Sequence, residues 1–195
     1  MVDVQLEVAN PVAESVLTRI EPALRLSDID GKRIGLYWNY KPGGDFGLDQ
    51  VAVRLAERFP TATFHRFDGA IGATVKHVTP ELADTIADSV DAVVGTTGDC
   101  GGCTSWLVHD MKELEKRGVP TVALVSEDFV DDHRRTAASY GIPELPFALM
   151  SEPLVSQSEK QVRDIVDGAI DGVTAGLVEK PETTAPRLEV RLDRE

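Results

Sequence analysis

Two cysteines, Cys100 and Cys103, stand three residues apart and are the chain's whole complement of thiols. A CxxC pair can supply a nucleophilic thiolate, close a reversible disulfide or contribute two ligands to a metal. The surrounding residues read Gly95-Thr96-Thr97-Gly98-Asp99-Cys100-Gly101-Gly102-Cys103-Thr104-Ser105-Trp106. An apolar strand feeds a glycine-rich turn, and the turn feeds a helix. Free backbone N–H groups and the helix dipole stabilise an anion at such a position, and a thiolate is one. Cys100 is therefore the expected nucleophile. Cys103 is placed to attack a mixed disulfide or a sulfenic acid on Cys100 and release product. An ionised Asp99 opposes thiolate formation but can donate or accept a proton.

Other groups fall near predicted strand ends. Asn39 and Lys41 follow the first strand, where Lys41 can meet a substrate carboxylate. Thr96, Thr97, Thr104 and Ser105 can donate hydrogen bonds to an oxyanion, although Thr104 or Ser105 can equally serve as a helix cap. Gly98, Gly101 and Gly102 let the backbone approach a ligand closely. Glu127 and Glu152 follow the fourth and fifth strands as candidate binding residues, and Glu127 also suits the acidic first turn of a helix. His109 lies six residues from Cys103, which makes contact with that thiol doubtful and favours a surface or packing role. The histidines (His65, His77, His109 and His133) are scattered. Zinc wants four ligands at defined spacing, so no metal ligand and no cofactor is assigned.

These groups need a scaffold, and the hydrophobic pattern supplies one. Short apolar runs at 33–39, 61–67, 90–97, 120–126 and 146–150 read as strands. Helices fall between them, at 48–59, 79–89, 104–118 and 127–141, and a last helix spans roughly 157–177. Thr79 is an expected N-cap with Pro80 at the first helical position. Val162, Ile165, Val166, Ala169, Ile170 and Val173 form the last helix's inner stripe. Strands alternating with helices predict a doubly wound α/β domain, a mostly parallel sheet of about five strands with a Rossmann- or flavodoxin-like layout. The expected domain spans 32–177, with an N-terminal arm at 1–31 and a polar tail at 178–195. A thioredoxin-like reading is weaker, because one helix alone separates Cys103 from Pro120.

Bulk composition narrows the function. The 195 residues carry 33 acidic and 20 basic side chains, a net charge of −13. Such a balance excludes a phosphate-binding footprint, hence nucleic acid. No apolar run reaches membrane-spanning length, and the N-terminus has no signal-peptide pattern. A cytoplasmic location is the expectation, and in a reducing compartment two close cysteines point to catalysis, redox work or metal rather than to a staple.

The segment GTTGDCGGCTSW resembles the signature of the UGSC family of (seleno)proteins. In some members the first cysteine position is selenocysteine, followed by Gly-Ser-Cys. Cys100 stands at that position, Gly102 replaces the serine, and Cys103 matches the final cysteine. Val108-His109-Asp110, Gly118-Val119-Pro120-Thr121-Val122 and Asn39-Tyr40-Lys41-Pro42 also fit, and the resemblance covers roughly residues 30–155. The chain is more distantly similar to the selenoprotein B subunit of glycine, sarcosine and betaine reductases, where a selenocysteine attacks a substrate carbon and a C–N bond is cleaved reductively. The resemblance implies that Cys100 is a nucleophile toward carbon or sulfur. This chain has Ser151-Glu152-Pro153 where a His-Pro is expected, so Glu152 takes over or the histidine's role is absent.

The expectation is thus a thiol-dependent oxidoreductase or lyase acting on a small molecule, with reductive cleavage of a carbon–heteroatom bond as the leading reaction. Redox-neutral cysteine chemistry is the alternative. A third is a metal-binding or non-catalytic subunit that works within a complex or homo-oligomer.

Overall fold

The computed structural model describes residues 18–69 and 77–179. The rest of the expected arm, loop and tail (1–17, 70–76 and 180–195) lies outside the described residues. Five strands form one sheet: β1 (Arg33–Trp38), β2 (Thr63–Asp68), β3 (Ala92–Gly98), β4 (Thr121–Ser126) and β5 (Phe147–Met150). All pairings are parallel, in the order β2-β1-β3-β4-β5. This is the doubly wound layout that the pattern predicts. In it the order reverses between β1 and β3, which opens a crevice at the carboxyl ends of those strands.

Helices cover both faces. α1 (Gly44–Arg58) and α5 (Glu159–Val178) pack on one side, while α2 (Pro80–Ser89), α3 (Gly101–Glu115) and α4 (Val130–Ser139) pack on the other. Strand alternation sorts the core: Ala92 and Val94 face α1 and α5, whereas Val93 faces the opposite layer. β4 is buried at every residue, as a central parallel strand covered on both faces must be. The predicted stripe of α5, from Val162 to Val173, is buried throughout.

Helix starts follow local chemistry. Thr79 Oγ1 accepts the Leu82 N–H at 3.2 Å, and Pro80 opens α2 as expected. Ser158 and Gln161 form a capping box on α5. Two starts differ from the sequence reading. α1 begins at Gly44, four residues before its apolar pattern does, and α3 begins at Gly101 rather than Thr104. In both cases the first turn carries two glycines, which give an apolar periodicity little to register.

Residues 18–29 of the expected arm lie along the amino-end side of the sheet. Ile20 N–H donates to Gly141 O at 2.7 Å, and Leu26 N–H to Leu177 O at 2.9 Å. Arg25 forms a buried ion pair with Glu115 at the end of α3 and also donates to Thr121 O. Glu115 accepts from the Ala23 and Thr121 N–H groups and the Thr121 hydroxyl. Among the described residues no helix is long and apolar enough to cross a membrane.

Candidate active site

The crevice between β1 and β3 is built around one amide. Asn39, 4% exposed, donates from Nδ2 to Thr97 O at 3.1 Å and accepts the Thr97 N–H on Oδ1 at 3.0 Å. Its own N–H donates to Thr96 O at 3.0 Å. Asn39 thus replaces a stretch of sheet ladder just where β3 leaves it: the β3–β4 register shifts between Gly95 and Gly98, and the Thr96–Thr97 peptide is cis. The amide is spent on backbone, which makes Asn39 a positioning residue rather than a free ligand group. Thr96 Oγ1 is also engaged, donating to Gly44 O at 3.2 Å. The Thr97 hydroxyl is buried and has no partner.

Beyond this clamp the chain runs through Asp99 into the cysteine turn. Cys100 is the N-cap of α3, and its Sγ accepts the Cys103 N–H at 3.1 Å. This corrects the idea that Thr104 or Ser105 caps the helix. Both hydroxyls bond back along α3 instead, Thr104 to Cys100 O at 2.7 Å and Ser105 to Gly101 O at 3.0 Å. Cys100 and Cys103 are joined as a disulfide across a Cα–Cα distance of 5.1 Å. The two sulfurs differ in access: Cys103 is 1% exposed, whereas Cys100 is only partly buried. Gly101 and Gly102 are exposed, and a Cβ on either would meet no atom within 4 Å. They lie in the helix's first turn, not in a tight turn before it. Gly98 is different, since its Cβ would press on Val125 at 3.1 Å and Thr104 Oγ1 at 3.3 Å.

Asp99 is buried at 5% exposure and accepts the Val155 N–H on Oδ2 at 3.3 Å. Burial pushes its carboxyl above the ordinary range, while the Val155 and Leu154 N–H groups and the Lys41 charge pull in the other direction. Lys41 lies 5.8 Å above the Trp106 ring. Trp38 Nε1 donates to Lys41 O at 2.8 Å, which fixes the loop that carries it. That loop ends at Gly43, whose φ of 83° suits glycine and whose Cβ would come within 2.8 Å of Leu154 O. Gly44 packs as tightly, since a Cβ there would come 2.9 Å from Thr96 Oγ1 and 3.0 Å from Trp38. The glycine pair therefore brings the α1 N-terminus, which has no side-chain cap, against the end of β3. The signal for this in the sequence is a glycine pair between the first strand and the helix that follows it.

The remaining assignments separate. Glu127 is exposed in the 3-10 turn Glu127–Phe129 after β4. Glu152 is exposed and accepts from Gln157 Nε2 at 3.1 Å. Asn39, Lys41, Thr96, Thr97, Gly98, Asp99 and the cysteine pair gather at the β1 and β3 ends; Ser105 sits one turn up α3, 3.4 Å from Thr136 Oγ1.

Sequence reading also missed a group on the far side of Trp106. The His77 and His109 rings are 4.0 Å apart, and the His77 ring is 6.3 Å from Trp106. Both Nδ1 atoms approach Asp110 Oδ1, at 3.4 Å for His77 and 3.2 Å for His109. Burial and the neighbouring His109 lower the pKa of His77, with Asp110 opposing. No short-range spacing in the sequence could join His77 to His109, 32 positions later.

Comparison with known proteins agrees with this picture at the family level. A sequence model of the UGSC family matches residues 7–179. No curated protein matches the chain. Among solved structures, a periplasmic solute-binding protein of an ABC transporter from Actinobacillus succinogenes 130z, with bound D-allose, is similar over 60% of this chain and 37% of its own, at 18% identity and a TM-score of 0.37.

Proposed function

For this chain, which belongs to the UGSC family, we propose a thiol-dependent enzyme in which Cys100 attacks a small-molecule substrate and Cys103 resolves the adduct. The observation that carries the reading is the unequal access of the two cysteines on one helix end: Cys100 caps α3 and is partly exposed, and Cys103 is buried behind it. A solvent-facing thiolate at a helix N-terminus attacks, and a buried one waits for an internal target.

In the favoured reaction, Cys100 thiolate forms a bond to a substrate carbon or sulfur, and the leaving group departs with its electron pair. Asp99, whose carboxyl burial pushes above the ordinary range, is the candidate donor of the proton that group needs. Cys103 thiolate then attacks Cys100 Sγ, and the electron pair of the broken bond passes to the substrate fragment, which takes up a second proton. A carbonyl beside the reacting carbon would hold that pair. The net change is R–X plus two thiols to R–H, H–X and a disulfide. An external dithiol must reset the pair, which suits a reducing compartment such as the cytosol. Lys41, the Thr97 hydroxyl and the uncapped α1 N-terminus would place an anionic substrate group.

Redox-neutral lyase or hydrolase chemistry is favoured by one observation, the raised Asp99 carboxyl beside the cysteine turn. Cys103→Ser separates the two. Incubated with carbonyl compounds that carry an α leaving group, this variant should accumulate a Cys100 adduct by intact mass and stop after one turnover. Continued turnover would favour the redox-neutral reading, and unmodified Cys100 across the whole panel would contradict both.

A further inference from the structure

One oxygen of Asp110 cannot serve every group that converges on it: Oδ1 has two lone pairs and faces three nitrogens. Asp110 is fully buried. Oδ2 accepts the Tyr37 hydroxyl at 2.7 Å, and Oδ1 accepts the Val78 N–H at 2.8 Å. One lone pair on Oδ1 is left for two imidazole nitrogens. His109 Nδ1 takes it at 3.2 Å, while His77 Nδ1 is buried and has no hydrogen-bond partner. A buried polar atom without a partner is costly and calls for an explanation such as an ion.

The spacing supplies one. Donor atoms on a tetrahedral ion with bonds of about 2.05 Å lie about 3.3 Å apart. The two histidine nitrogens are 3.2 and 3.4 Å from Asp110 Oδ1, and one donor atom from each of the three side chains lies within 4.8 Å of the other two. Neighbouring cations are already paired: Lys112 with Glu113 at 2.9 Å, and Arg117 with Asp84 at 2.7 Å. A cleft of about 270 Å³, lined by His109, Val78, Thr79 and Glu113 among others, opens beside His109, and the His77 side chain is 27% exposed.

We propose that His77, His109 and Asp110 form a binding site for a borderline divalent transition-metal ion such as Zn²⁺ or Co²⁺, with two imidazole nitrogens and one carboxylate oxygen as protein ligands and the remaining coordination open to water or a small ligand. Tyr37 and Val78 N–H orient the carboxylate, as outer partners of metal ligands do. The site is independent of the cysteines: His109 follows Cys103 by six residues, about 9 Å along the helix axis.

Cobalt titration of the full chain carrying Cys100→Ser and Cys103→Ser, followed by visible absorption and by competition with zinc, tests this without interference from thiolate. One saturable equivalent is expected, with affinity falling at least ~100-fold in His77→Gln or His109→Gln and ~10-fold in Tyr37→Phe. Circular dichroism verifies folding. Should His109→Gln fail to fold, His77→Gln carries the test, since its side chain is 27% exposed. Absence of saturable binding, binding that needs the cysteines, or binding that survives His77→Gln would each overturn the proposal.

Discussion

The two ends of α3 bury acidic side chains in opposite ways. At the carboxyl end, Glu115 receives Arg25, two backbone N–H groups and the Thr121 hydroxyl, and its charge is answered on all sides. At the amino end, Asp99 has backbone N–H partners and the distant charge of Lys41, and burial raises its carboxyl; the adjacent Thr97 hydroxyl has no partner at all. One helix therefore carries a satisfied structural end and an under-satisfied end where the thiols sit. Unmet polar groups beside a nucleophile leave interactions available for a ligand, while a saturated network leaves none and serves to hold the strap formed by residues 18–29.

If that contrast is right, the largest stability effect lies away from the chemistry. Glu115→Ala strips the partner from buried Arg25 and should cost about 3–5 kcal/mol in denaturant unfolding. A loss under about 1 kcal/mol would break the comparison. Next, Asn39→Ala removes the clamp on Thr97 and leaves a buried carbonyl and N–H unpaired, for about 1–3 kcal/mol. Thiol alkylation rates should change with it, because the end of β3 moves; unchanged rates would mean that the clamp does not place the cysteine turn.

His133 gives a comparable effect with a distinct pH signature. It is fully buried on α4, has no hydrogen-bond partner, packs 4.9 Å from the Phe147 ring, and has its pKa pushed down to about 3 by burial and by Arg134. The folded state keeps it neutral while the unfolded chain binds a proton below about pH 6.5, so stability is lost as pH falls through that window. From pH 7 to 5 the loss is about 2 kcal/mol. His133→Leu should remove that component, and an identical pH slope in the variant would refute the assignment.

The smallest effect is expected at the amino end of α3. Gly102→Ser or Gly102→Ala meets no atom within 4 Å and replaces a poor helix former, so unfolding should be unchanged or up to about 1 kcal/mol more stable. A marked destabilisation would show that the turn is less open than its geometry indicates.

The legible part of this molecule was the part written as periodicity or as a short motif. The strands, the α5 stripe, the Thr79 cap and the CxxC placement follow from patterns within a dozen residues. The rest depends on distant pairs. Asn39 reads as a ligand until its partner, Thr97 backbone, is known. Arg25 reads as part of a loose arm until Glu115 is found beneath it. Gly43 and Gly44 are in the sequence only a glycine pair after a strand, because the close approach of Leu154 and Thr96 belongs to the fold. Glu127 and Glu152 follow strand ends as expected, and both are exposed.

The central claim is that α3 presents Cys100 as the attacking thiol and keeps Cys103 in reserve. Its most direct test is the rate of alkylation of the reduced protein against pH, read by intact mass in Cys100→Ser and Cys103→Ser. The account predicts that Cys100 reacts at least ~10-fold faster than Cys103, with a midpoint below the free-thiol value of about 8.5. Equal or faster reaction at Cys103, or a Cys100 midpoint at or above about 8.5, would contradict it.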